Sequence, residues 1–350
     1  MDTHSLSSLL TVTRWARLTN FAGFVVSGPD ARTFLQGQLT NDIESATAEH
    51  HQRTGYCSPK GRLLTTMLQW RLDETSWAHL LPAESLDRVL KRLSMFVLRS
   101  KVTFSPSNES LCAIGLWGTA AEQLSSRSAS ELEGRSFAIS MTSASDAAVA
   151  AVPACHLLMD TPCAALGLRG WLVGPSEAIH QIIAPLATAQ ELPEAAWLFS
   201  EIGSGKAWVG EKTQDIFVPQ MVNFELIRGV SFTKGCYPGQ EVVARSQYLG
   251  KLKRRTFRAD LSGTEVQRLN IPISELPGQD VWSSVFPAEP CGRVVAAAPV
   301  FDTEGRSQAG AALLIELTLS AWDAGGLAIG SLNGPTLEAG HLPYGLADAA

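Results

Sequence analysis

Nine residues, Thr233 to Glu241, read T-K-G-C-Y-P-G-Q-E and restrict the backbone more tightly than any other stretch of this chain. Gly235 and Gly239 bracket a cysteine, an aromatic and a proline. Glycine admits positive φ and close backbone approach. Pro238 fixes its own φ and pushes Tyr237 towards an extended conformation. A segment built this way holds Cys236 in one place. Lys234 precedes the thiol by two residues, and side chains two apart in an extended segment share a face. Its ammonium would then favour the reactive thiolate. In a tight turn Lys234 would face solvent, leaving backbone N–H groups to stabilise the thiolate. The simpler reading is a connecting turn whose cysteine only packs, since free Cys is among the most buried residue types.

The 350 residues suffice for two or three domains at about 100–200 residues each. A 45% hydrophobic and 18% charged composition suits a globular protein with real cores. The net charge of −6 argues against a generally nucleic-acid-binding surface. No secretory leader is evident after Met1, and no apolar run approaches the ~20 residues of a membrane span. Six cysteines without a C-x-x-C pair read as reduced thiols in a cytoplasm, with no metal site.

Residues 21–28 predict a buried strand, 30–40 a helix after Pro29, and 62–72 with 76–81 a hairpin. A helix follows over 83–96 with Leu86, Val89, Leu90 and Leu93 on one face, then a strand over 101–104. Strands are expected at 111–118 and 170–174, and helices from Thr119, from Pro175 to about Ala189, and over 194–202. Residues 213–230 read as an irregular, packed segment delivering the T-K-G-C loop. Beyond Arg258, prolines punctuate short apolar runs, the pattern of a small β-barrel or sandwich. The fold class is α+β and multi-domain.

The run K-G-C-Y-P-G-Q-E, with F-L-Q-G-Q-L-T-N-D at 34–42, Y-C-S-P-K-G-R at 56–62, R-S-K-V at 99–102 and L-P-Y at 342–344, resembles the YgfZ family. These are folate-binding relatives of the glycine-cleavage T-protein that assist iron–sulfur enzymes. The resemblance implies an aminomethyltransferase-like fold with a C-terminal β-barrel. It divides the chain into a folate-binding subdomain at 1–110, with 213–258 carrying the signature loop, a second α+β subdomain at 111–212 and the barrel at 259–350. It implies tetrahydrofolate as cofactor and iron–sulfur client enzymes as partners, with no direct nucleic-acid contact and no membrane. Two tryptophans are associated with the family's folate cavity, and they fall on Phe21 and Trp197. Tyr237, Gln240, Glu241 and Asp42 complete the expected folate contacts, and Cys236 with Lys234 the chemical pair. The T-protein's pterin-binding glutamate falls on Gly203, and Glu201, two residues earlier, lies on a different helix face.

Three functions follow from these residues. The first is a folate-binding factor, not a classical enzyme, that supports iron–sulfur proteins including tRNA-thiomethylating enzymes. The second is a folate-dependent aminomethyl or one-carbon transferase, which Gly203 disfavours. The third is a module whose Cys236 loop only packs. The basic cluster Lys251, Lys253, Arg254, Arg255 and Arg258 reads as a solvated face or as a landing site for a polyglutamate tail or an RNA-linked partner.

Overall fold

The computed structural model describes residues 12–107, 111–118, 134–139, 155–183, 189–249 and 252–346. The helix expected from Thr119, the end of the one expected to reach Ala189, and Lys251 fall outside them. By backbone packing the chain forms two units. One comprises 1–32, 44–52 and 68–197, and the other 33–43, 53–67 and 198–350.

The first unit holds a six-stranded sheet in the order Gln190–Glu191, Val12–Arg17, Cys112–Gly118, Gly167–Gly174, Cys155–Cys163, Ser136–Ile139. Its apolar face packs Ile114, Leu116, Leu157 and Leu172 against Ile179 and Ile182 of the helix Ser176–Ile183. A second antiparallel array runs from residues 68–71 through Ser76–Pro82 and Phe21–Ser27 to Thr103–Ser107. Asp73, Glu74 and Thr75 make the expected hairpin turn, where the Asp73 carboxylate accepts from the Thr75 N–H and hydroxyl. The helix predicted over 83–96 begins with a 3-10 turn, Ala83–Ser85, and is α-helical over Leu86–Ser94. Its buried stripe is Leu86, Val89 and Leu93.

In the second unit, residues 53–57 and 63–67 flank a turn closed by Ser58 N–H to Arg62 carbonyl at 2.8 Å and Gly61 N–H to Ser58 carbonyl at 2.9 Å. The helix expected over 30–40 stops at Gln36, the end of Ala31–Gln36. Residues 213–230 are irregular apart from the 3-10 turn Pro219–Val222. The elements that the sequence did not announce include the strands Val12–Arg17, Gln52–Cys57 and Cys155–Cys163 and the helix Gln240–Tyr248, which starts inside the signature. The C-terminal sheet has the order Leu327–Ile329, Asp280–Ser283, Gly292–Phe301, Ser307–Thr318, Arg254–Ser262, Glu338–Ala339. Its outermost strands are three and two residues long and share no ladder. Towards the second, the first bonds only the run leading into it, through Ile329 N–H to the Pro335 carbonyl at 3.0 Å and Leu337 N–H to the Leu327 carbonyl at 2.9 Å. The expected barrel is therefore a curled, open sheet. Among the described residues no helix is long and apolar enough to cross a membrane.

Candidate functional site

The signature loop is built on a polar hub at residues 38–42. Thr40 accepts the Gly55 N–H at 2.7 Å and donates its hydroxyl to the Gly229 carbonyl at 2.7 Å. Asn41 donates to the carbonyls of Arg53 and Arg228 at 2.8 and 2.7 Å. The Ser231 N–H reaches the Thr40 carbonyl at 3.0 Å. Both hub residues are buried, and such groups are stable only when their hydrogen bonds are made.

Lys234 plugs into this hub. Its ammonium donates to the carbonyls of Gln36, Leu39 and Asn41, so it closes the C-terminal end of the helix Ala31–Gln36. A cation there also suits the helix dipole. The side chain is 8% exposed. Burial pulls its pKa down to about 8 from 10.5, and nearby Asp42 offsets part of that effect. Asp42 is itself held by the Gln36 amide at 2.9 Å. The sequence offered Lys234 two directions, towards the thiol or towards solvent. The structure turns it inward instead, because three carbonyls leave the ammonium no free donor. Its work is to anchor the loop.

The residues after the thiol are fixed as firmly. Tyr237 is buried, with its ring 5.2 Å from the Lys234 ammonium. Burial pushes both its phenol and the nearby Cys57 thiol far up, so both stay neutral. Gly239 has φ +82°, and a Cβ there would lie 2.5 Å from Gly61 N and Ser58 O. Only glycine allows the Pro238-Gly239 turn to rest on the Ser58–Gly61 turn. Gln240 caps the loop through its amide to the Lys234 carbonyl at 3.4 Å and its N–H to the Tyr237 carbonyl at 3.1 Å. Cys236 itself is exposed, and apart from its two chain neighbours no atom of the described residues lies within 4 Å of where a Cβ on Gly235 would stand. Glu241 faces solvent and pairs with Arg245 at 2.9 Å.

Phe21 and Trp197 belong to the first unit. Both contact Trp171, with ring centroids 5.0 and 4.6 Å away in edge-on geometry. Trp197 is fully buried, with the Arg169 guanidinium 4.9 Å from its ring and Trp117 at 5.1 Å. A Cβ on Gly115 would sit 2.2 Å from the indole, so that position must be glycine. The Trp171 N–H donates to Asp160 at 3.1 Å, whereas the Trp197 N–H has no acceptor among the described residues.

Two further clusters concern the expected chemistry. Glu201 is 2% exposed and accepts from Arg53 and from the Trp208 indole, each at 2.7 Å. The basic cluster is largely consumed within the second unit. Arg254 pairs with Glu316, Arg255 is buried against Glu225, and Arg258 bonds Asp260. Of these cations Lys253 stays exposed. Tyr344 of the L-P-Y run donates to the Gly205 carbonyl at 2.7 Å. Sequence reasoning passed over Asn41 and Cys57. Asn41 was visible only as one letter of Q-L-T-N-D, and nothing in the order of residues set Cys57 beside Tyr237.

Comparison with known proteins agrees with this architecture. Residues 16–159 match the GCVT N-terminal domain family. The crystal structure of the glycine cleavage system aminomethyltransferase T from Bartonella henselae superposes with a TM-score of 0.67. It covers 96% of this chain and 88% of that one at 14% identity, a likeness of fold. The tRNA-modifying protein YgfZ of Edwardsiella ictaluri is 34% identical over 248 residues, 69% of each chain. That of Colwellia psychrerythraea is 32% identical over 243 residues, again 69% of each. On this identity and coverage the chain belongs to the YgfZ family, with the fold of the glycine-cleavage T-protein.

Proposed function

We propose that the protein is a folate-binding accessory factor supporting the assembly or repair of iron–sulfur proteins, tRNA-thiomethylating enzymes among them, with Cys236 as its chemical residue. The observation that carries this reading is an exposed thiol on an otherwise clamped loop. Lys234 is bonded to three carbonyls, Tyr237 is buried, and Gly239 is wedged on Gly61, while Cys236 is open. A fold that held this cysteine for packing would bury it, as it buries Cys57, Cys155 and Cys163. The relatives' description as tRNA-modifying proteins supports the choice of clients.

Buried N–H donors without an acceptor among the described residues include those of Trp70, Trp77 and Trp197 in the first unit, and of these Trp197 is the one that the family resemblance sets at the folate cavity. A buried donor left unpaired costs about 1–3 kcal/mol, and an acceptor on the folate would relieve that cost. Trp197 is buried on every side, so the side chains over its N–H edge would have to move for the ligand to reach it. Phe21 would support this contact through Trp171. Asp42, Tyr237 and Gln240 would act by shaping the loop, and Glu241 would stand on its solvent side. When bound, the cofactor supplies a one-carbon carrier, and the chain's part is to bind it and present the thiol. Aminomethyl transfer is the weaker reading, because Glu201 is committed to Arg53 and Trp208 and Gly203 carries no carboxylate.

Titration with tetrahydrofolate, read by tryptophan fluorescence, tests this proposal when followed by an aminomethyl-transfer assay on the same preparation. Saturable binding without turnover is expected. Trp197→Phe should weaken binding about tenfold, roughly one hydrogen bond. Turnover would favour the transferase, and an unchanged affinity in Trp197→Phe would return Trp197 to a packing role.

A further inference from the structure

The R-S-K-V run closes a surface that the folate and thiol chemistry leaves unused. From Arg88 to Lys101, five of fourteen residues are Arg or Lys and none is Asp or Glu, in a chain of net charge −6. The helix Leu86–Ser94 turns its apolar stripe inward, but the turn after it turns large apolar side chains out. Met95 is 60% exposed, Phe96 39% and Leu98 88%. Single exposed apolar residues are ordinary, whereas three within four positions form a patch.

Leu98 is the sharpest of them. Its φ is +47°, in the left-handed region where a branched side chain without a local hydrogen bond costs about 1–2 kcal/mol. Asn or Gly would fit that backbone better. Leucine here neither relieves the backbone nor buries itself, so folding does not explain it. The turn is nonetheless firmly tied. The Ser100 N–H reaches the Val97 carbonyl at 2.7 Å, and the Lys101 N–H reaches the Asp30 carboxylate at 2.7 Å. Gly28 lies so close that a Cβ there would be 2.2 Å from the Lys101 carbonyl oxygen. Arg92 lies 5.9 Å from the Phe96 ring. The patch is thus presented in one shape and borders an open groove of about 720 Å³ lined by Asp30 and residues 96–100.

We propose that this surface docks an acidic, amphipathic segment of a protein partner. Leucine-like side chains would enter the groove beside Leu98, and carboxylates would meet Lys91, Arg99 and Lys101. Charge complementarity selects an anionic partner, and the exposed aliphatic groups select one with apolar side chains. The surface is open and carries the Asp30 carboxylate, which accepts the Lys101 N–H, so it has mixed charge that a polypeptide matches better than a uniformly anionic bilayer. Aromatic faces for stacking bases are limited to Phe96, which disfavours RNA.

The test uses the full chain and a fluorescein-labelled peptide of leucines and glutamates in helical spacing, followed by anisotropy. Saturable binding that weakens with salt is expected. Leu98→Asn, Met95→Ser and Arg99→Glu should each weaken it at least fivefold. The thermal midpoint of Leu98→Asn should be unchanged or higher. No saturable binding, or equal binding by the variants, would overturn the proposal. So would a Leu98→Asn variant that unfolds, since Leu98 would then serve the fold. Phosphatidylglycerol vesicles and bulk tRNA are titrated in parallel. Binding to either with the same dependence on Leu98 and Arg99 would overturn the choice of a protein partner.

Discussion

Lys234 shows how one residue's role depends on where its donors go. Read in sequence, an ammonium two positions from a thiol looks like an activator. In the fold it serves three carbonyls that lie 193 to 198 residues away in the chain. That separation is why its role was illegible, since no local pattern announces a partner so distant. The consequence for pH can be signed. Its folded pKa of about 8 lies below the ordinary 10.5, so between those values the unfolded chain binds the extra proton. Stability from this group therefore rises from pH 8 to 10.5 and is lost as pH falls through 8. Lys234→Met should destabilise the protein at pH 7 by about 1–3 kcal/mol through the stranded carbonyls. The gap between wild type and variant should widen from pH 7 to pH 10, as read by urea unfolding at both values. A gap that narrows would show that burial does not depress this ammonium.

At the scale of elements, the loop's frame was legible and its support was not. Gly-x-x-Pro-Gly correctly signalled a constrained turn, because glycine and proline act through their own backbone. The hairpin at 62–81 was legible for a similar reason, with a short polar turn between apolar runs. The helix Gln240–Tyr248 was hidden by its mixed surface, since Val243 is its one buried residue. The barrel expected at the C-terminus was read from short strands, a pattern that open and closed sheets share. What the sequence could not show is that the Ser58–Gly61 and Pro238–Gly239 turns touch through bare backbone. Gly239→Ala tests that contact. A Cβ at φ +82°, 2.5 Å from two backbone atoms, should lower stability by about 2–4 kcal/mol. A loss under 1 kcal/mol in urea unfolding would mean that the two turns can separate freely.

Across the whole molecule, the T-protein fold is kept at 14% identity. The glutamate position carries Gly203, nearby Glu201 is bound to Arg53 and Trp208, and a presented thiol stands on the loop. These residues were the part of the candidate site most legible in sequence, because motif residues come as contiguous runs. The placement of Phe21 and Trp197 around Trp171 was not, because core packing leaves no local signal. In the proposed function Cys236 acts as a thiol, and one substitution tests it. Cys236→Ser changes one exposed atom, so unfolding midpoint and tetrahydrofolate affinity should match wild type. In cells lacking the native factor, the variant should fail to restore tRNA thiomethylation, measured on bulk tRNA by mass spectrometry. Full restoration by Cys236→Ser would contradict the account and leave the loop as a shaped wall without chemistry of its own.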